Sequence, residues 1–229
     1  MDARHGSGTG PTAGAARTIA LVPVRHLERA KSRLGEALDA EERATLATAL
    51  VERTLDALVE LRARGAIDGL VVASGDPSVL AVAVRRGARP LPVPGTDLVA
   101  DLEAARELAV VDGATAVLVV PIDLATVSAA ALEVVLDAAR TAAAGTVPGT
   151  AIVALVPDRR GEGTNVLYVS PPRAIAFAFG PGSRARHTAA AAAAGAAFVE
   201  VAGPLALDLD TPDDLAAADA ATPLARLLR

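Results

Sequence analysis

The chain has 229 residues, 52% hydrophobic and 21% charged, with no cysteine, a formal net charge of -5, and only one Tyr and three Phe as aromatics. That length suits one sizeable domain, and the mix is too apolar for disorder yet lacks the long unbroken apolar run of a membrane span. Without cysteine, disulfide scaffolds, iron–sulfur clusters, zinc–cysteine sites and thiol nucleophiles drop out, and negative charge with few aromatics argues against a nucleic acid partner.

Residues 1–17 are small and polar, with no apolar stretch of the secretory kind, and are expected to be a disordered lead to a cytoplasmic protein. The first strand is predicted at Thr18 to Val24, an apolar run rich in β-branched residues, with similar runs at Gly69 to Ser74, Ala116 to Pro121, Ala151 to Val156 and Phe198 to Val201. Helices are predicted between them. Asp39 to Arg64 opens on the capping pair Asp39 and Glu42, repeats Leu46, Leu50, Leu58 and Leu61, and stops at Gly65. Others fall at Pro77 to Arg86, Asp97 to Val110, Ser128 to Ala144 and Arg184 to Ala194. This alternation predicts an α/β fold, a mostly parallel, mixed sheet with helices on both faces, in a single domain over residues 18–229. Ligands of such sheets bind beyond the carboxyl ends of the strands, so the polar residues there are the candidates for chemistry.

No Gly-x-x-x-x-Gly-Lys loop occurs, and neither Gly-x-Gly pair follows a strand and opens a helix. After the first strand, Arg25, Lys31 and Arg33 form a basic turn that suits a polyphosphate, or else a solvated loop. Asp123 follows the central strand. Asp208 and Asp210 alternate with Leu207 and Leu209, so period two sends both carboxylates to one face. Carboxylates gathered that closely suit a divalent cation such as Mg2+, while Asp213 and Asp214 read as the first turn of a helix opening at Thr211-Pro212. Thr164 and Asn165 lie in a glycine-rich turn. Further on, Gly180, Gly182 and Ser183 suit a second anion at a helix start that Ser183 would cap, or an ordinary glycine loop. Ser74-Gly75-Asp76 suits a nucleoside or a plain turn. His187 reads as a structural contact, and no Ser-His-Asp arrangement is present.

The stretches VPVRHLERAKSRL, VPDRRGEGTNVLYVSPP, FGPGSRARH and LALDLDTPDDL, in this order, resemble the CofC/FbiD family, guanylyltransferases of coenzyme F420 biosynthesis. The resemblance runs from about Thr18 to Leu215. It implies the nucleotidyltransferase fold shared with the molybdenum cofactor guanylyltransferases, a GT-A/MobA-like, Rossmann-like arrangement. It also implies transfer of GMP from GTP to a three-carbon phosphoacid, phosphoenolpyruvate or 2-phospho-L-lactate, with release of pyrophosphate. By motif match, Asp123 and Asp208 fall where the family holds Mg2+, and Thr164, Gly180 and Ser183 where it holds the acceptor. Combined with the basic turn, this gives Lys31, Asp123 and Asp208 as catalytic residues, Arg25, Lys31 and Arg33 on GTP, and Asp210 as a further metal ligand, in a monomer or homodimer. A sugar-nucleotide or molybdopterin transferase on the same fold, and a non-catalytic GTP-binding relative, are the alternatives. Two positions depart from the family pattern: the usual Asp-Leu-Pro reads Asp123-Leu124-Ala125, and the usual Gly-Leu-Asn reads Leu98-Val99 with no asparagine.

Overall fold

The structure, a computed structural model, describes residues 17–25 and 38–221. Seven strands form one sheet: β1 (Thr18–Val24), β2 (Gly69–Ser74), β3 (Arg89–Pro92), β4 (Ala116–Val119), β5 (Ile152–Pro157), β6 (Thr164–Ser170) and β7 (Ala197–Glu200). Their order is β3-β2-β1-β4-β6-β5-β7. All run parallel except β6, which lies antiparallel between β4 and β5. The mixed α/β sheet expected from the alternation of elements is thus present.

The described residues form six α-helices: α1 (Ala40–Ala63), α2 (Pro77–Arg85), α3 (Leu98–Val111), α4 (Ala129–Ala144), α5 (Ser183–Ala193) and α6 (Pro212–Ala221). Along β1, Ala20, Val22 and Val24 pack with α1, α2 and α4, whereas Ile19 and Leu21 face α3 and α5, so one fully buried strand serves two apolar layers. α1 starts where its capping pair predicts. Asp39 accepts from the Glu42 amide at 2.9 Å and Glu42 accepts from the Asp39 amide at 2.8 Å. It ends at Gly65, whose φ of 72° an L side chain would resist. A third apolar cluster joins Leu46 and Leu50 of α1 to Ala125, Leu209 and Ala218, anchoring the segment that carries the late aspartates.

Two strands lie where the sequence signal is weak. β3 reads Arg-Pro-Leu-Pro, and proline normally argues against a strand. It is tolerated here because β3 is an edge strand with β2 as its neighbour. β6 begins at Thr164, directly after the glycine-rich turn, so Thr164 and Asn165 belong to a buried strand rather than to the turn.

Residues 1–16 of the expected disordered lead of 1–17 lie outside the described residues, as do Lys31 and Arg33. The Arg17 amide donates to Thr115 Oγ1 at 2.7 Å, so the chain is tied to the sheet one residue before β1. Among the described residues no helix is long and apolar enough to cross a membrane.

Candidate functional site

The chain passes from β1 to β2 toward one edge of the sheet and from β4 to β5 toward the other, so the order reverses between β1 and β4, and the carboxyl ends of these strands are where a crevice is expected. A cleft of about 1220 Å3 occupies this position. It exceeds the roughly 300–1,000 Å3 of a single-ligand pocket, leaving room for a nucleotide beside a second small substrate. Arg25 enters from the end of β1, Asp123 from the end of β4, and Thr164 from the start of antiparallel β6.

One wall is acidic. Leu124 bridges Asp208, the Leu209 amide donates to the Asp123 carbonyl at 2.9 Å, and the Ala125 amide donates to the Leu207 carbonyl at 3.0 Å. These bonds lock the two carboxylate-bearing segments side by side. The period-two reading holds over this single bridge: Leu209 is fully buried in the third apolar cluster with Leu207 packed on it, while Asp208 and Asp210 line the cleft. Burial, and then the neighbouring carboxylate of Asp123, push the Asp208 carboxyl up to about 6. Two hard oxygen donors whose mutual repulsion is visible in this way fit a divalent cation. Among the described residues no group of three His, Asp or Glu side chains is arranged to hold a metal ion, so the three-aspartate set is not gathered into a ready cage. Mg2+ does not need one, since it commonly takes one or two carboxylates and completes its shell with phosphate oxygens and water.

Another part of the cleft lining is built by β6 and the loop before α5. Thr164, Gly180 and Ser183 all line the cleft there, although Thr164 comes from a different segment than the other two. His187, fully buried one turn into α5, joins them: its Nδ1 is 3.0 Å from Thr164 Oγ1, and the Ala178 amide donates to its Nε2 at 2.9 Å. Burial, with Arg186 adjacent, holds the imidazole down to about 4, so it is neutral near pH 7. The Arg186 guanidinium donates to the carbonyls of Ala178 and Pro181 and straps the glycine loop.

The expected cap is corrected. Gly182, at φ 70°, occupies the N-cap of α5, and Ser183 is the first helical residue. The Ser183 amide donates to the Gly180 carbonyl and the Arg184 amide to the Glu162 carbonyl, so two amides of the first turn are already engaged. The serine hydroxyl and the glycine backbone, more than an open helix terminus, are what this wall offers an anion.

The family described as "Guanylyl transferase CofC like" matches residues 18–218. The chain belongs to this CofC-like guanylyl transferase family. A protein from Sphaerobacter thermophilus named phosphoenolpyruvate guanylyltransferase is 42% identical over 200 residues, covering 86% of this chain and 90% of that one. One of the same name from Rubrobacter xylanophilus is 39% identical, covering 88% and 93%. Solved structures share the fold. A putative nucleotide-diphospho-sugar transferase from Desulfovibrio desulfuricans superposes with a TM-score of 0.63 at 16% identity, over 88% of this chain and 85% of that one. A nucleotidyl transferase from Methanothermobacter thermautotroptrophicus gives 0.63 at 16%, over 93% and 99%.

The first departure from the CofC-like pattern is absorbed by the core. Ala125 is fully buried among Leu38, Leu46, Leu50 and Leu209, away from the cleft, and its amide makes the hydrogen bond to Leu207 that a proline would lack. Its neighbour Asp123 keeps its place at the cleft. At the second departure, Val99 packs against the α3 face of the sheet and its amide is capped by Asp97, while Leu98 lines the cleft.

Arg25 lines the cleft and donates to the Thr96 carbonyl at 3.1 Å, thereby also holding the loop before α3. Asp76 caps α2 by accepting from the Ser78 amide at 2.9 Å, which accounts for Ser74-Gly75-Asp76 as a turn. Asp214 is more than a first-turn acid. It accepts from the Thr211 amide and hydroxyl and from the Asp210 amide, and it pairs with Arg159 at 2.8 Å, clamping the Asp210 segment to the β5–β6 turn. Although burial opposes the charge, those hydrogen bonds and Arg159 hold its carboxyl below the usual carboxylate range. Asn165, noted in sequence beside Thr164 without a role of its own, donates its Nδ2 hydrogen to the Leu205 carbonyl at 2.8 Å and steadies the turn leading to Asp208. Its only signal in sequence was adjacency to Thr164.

Proposed function

We propose that this protein transfers GMP from GTP to phosphoenolpyruvate or 2-phospho-L-lactate with release of pyrophosphate, in the biosynthesis of coenzyme F420, acting in the cytoplasm as a monomer or homodimer. The observation that carries this reading is one cleft lined by Asp123 and Asp208 together with Thr164, Gly180 and Ser183. The names of the relatives at 39–42% identity support the choice of acceptor. The sugar-transferase alternative rests on structures at 16% identity, which share only the fold.

In the proposed reaction an oxygen of the acceptor phosphate attacks the α-phosphorus of GTP. A new P–O–P linkage forms as the bond to the β-phosphate oxygen breaks, and the electron pair leaves with pyrophosphate. The nucleophile is already an oxyanion, so no general base is needed, and the sealed position of His187 fits that requirement. Asp123 and Asp208, with Asp210 beside them, would hold Mg2+, which when bound supplies positive charge between two mutually repelling substrates. Thr164, Gly180 and Ser183 bind and orient the acceptor for an in-line approach. Arg25 fixes the loop over the nucleotide side, and Lys31 and Arg33 meet the triphosphate.

The test is pyrophosphate release from GTP and Mg2+ with phosphoenolpyruvate, 2-phospho-L-lactate, 3-phosphoglycerate or a sugar phosphate, each supplied alone. Release with a three-carbon phosphoacid is expected. Release with the sugar phosphate alone rejects the acceptor. Tight GTP binding without turnover on any of them points instead to a non-catalytic relative.

A further inference from the structure

His187 has no direct contact with the cleft, yet both its ring nitrogens are committed. A backbone N–H only donates, so the Ala178 amide 2.9 Å from Nε2 requires that nitrogen to be an acceptor without a proton. A neutral imidazole then carries its proton on Nδ1, which must donate across the 3.0 Å to Thr164 Oγ1. A threonine hydroxyl has one hydrogen and two lone pairs. With one lone pair taken by His187, its hydrogen is directed elsewhere, and Thr164 lines the cleft on the wall shared with Gly180 and Ser183. Phe179 packs edge-on against the imidazole with centroids 5.0 Å apart, which fixes the ring plane and hence the donor direction.

We infer that His187 is a positioning residue for the acceptor: by donating to Thr164 it keeps the Thr164 hydroxyl hydrogen from being spent on the ring and leaves it free to donate into the cleft, matched to an oxyanion of the phosphoacid. This rests on the reading of the Thr164 wall as the acceptor site. The chain Ala178 amide to His187 to Thr164 to substrate transmits polarity from the backbone to the ligand. The orientation of one hydroxyl is thereby set by a residue that never touches substrate.

The test compares the Michaelis constant for the acceptor in wild type, Thr164→Val, His187→Gln and His187→Asn, each checked for folding by its thermal melt. A glutamine amide reaches the Nε2 position and serves Ala178 but not Thr164, whereas an asparagine amide reaches the Nδ1 position and serves Thr164. Loss of an oriented hydrogen bond to an anion predicts about a tenfold rise in acceptor KM for Thr164→Val and His187→Gln, with kcat and the KM for GTP within about twofold. The double variant should be no worse than either single one, because both remove the same bond. His187→Asn should hold acceptor KM within about twofold of wild type even if it melts earlier. Nitrogen chemical shifts of the His187 ring should show the proton on Nδ1. Wild-type KM in His187→Gln beside an impaired Thr164→Val overturns the inference and leaves the acceptor site standing. An impaired His187→Asn, or a proton on Nε2, also overturns it. Wild-type KM in Thr164→Val overturns the reading of the site itself.

Discussion

Replacing Asp208 by asparagine should make the metal-free protein more stable and inactive at once. The carboxyl is raised from 3.8 to about 6, by burial first and then by Asp123, Asp210 and Asp214. The folded chain therefore holds that proton more tightly than the unfolded chain. Asp208 supports the fold fully below about pH 4, and that support is lost as pH rises through about 6. At about 1.4 kcal/mol per pH unit the displacement corresponds to roughly 3 kcal/mol, and solvent access to a partly exposed carboxylate reduces this to about 1–2 kcal/mol. Asparagine has nearly the same shape and no charge, so it removes the penalty. In chelator at about pH 7.5, urea unfolding should show Asp208→Asn more stable than wild type by about 1–2 kcal/mol, with the gap closing near pH 4. Adding Mg2+ should stabilise the wild type and leave the variant unchanged, while turnover of the variant falls by at least about a hundredfold. A variant no more stable than wild type in chelator, or a gap of equal size at both pH values, refutes the electrostatic account of this wall.

Asp123→Asn should likewise reduce pyrophosphate release by at least about a hundredfold with the thermal melt preserved, and it should lower the pH at which Asp208 titrates. Unchanged turnover in both aspartate variants contradicts the cation proposal. Ser183→Ala should raise acceptor KM by about three- to tenfold and leave the KM for GTP alone, because the serine sits on the Thr164 wall; equal loss of both substrates in steady-state kinetics argues against that placement. Asp214→Ala removes hydrogen bonds to Thr211 and Asp210 and the pair with Arg159, and should cost about 2–3 kcal/mol in urea unfolding at neutral pH. Its carboxyl lies below the ordinary range, so the support it gives is present above that range and is lost as pH falls, and the difference from wild type should narrow in acid.

What the sequence made legible is what neighbouring residues decide among themselves. The Asp39–Glu42 capping pair and Gly65 bracket α1 within one chain segment, and β1 and β2 have the expected bounds because unbroken apolar runs need burial on both faces. The alternation Leu207, Asp208, Leu209, Asp210 worked for the same reason, even though only one bridge supports it. β3 was illegible because the rule against proline depends on whether a strand is central or at an edge, a property of the assembled sheet. Ser183 was misplaced by one residue because its loop turns at Gly182, where a positive φ supplies the cap geometry without a side chain.

The charge state of the site was hidden for a deeper reason. Asp208 and His187 are ordinary titratable residues in sequence, and both are shifted by desolvation, which is created only when segments distant in the chain close over the sheet edge. Asp123 and Asp208 come to share an edge because Leu124 bridges Asp208, and Thr164 meets His187 because β6 runs antiparallel to its neighbours and so starts at the end where they finish. A parallel β6 would put Thr164 at the far side of the sheet, away from both aspartates. The one reversed strand therefore brings Thr164 to the same end of the sheet as Asp123 and Asp208, and all three line one cleft because of the direction of that strand.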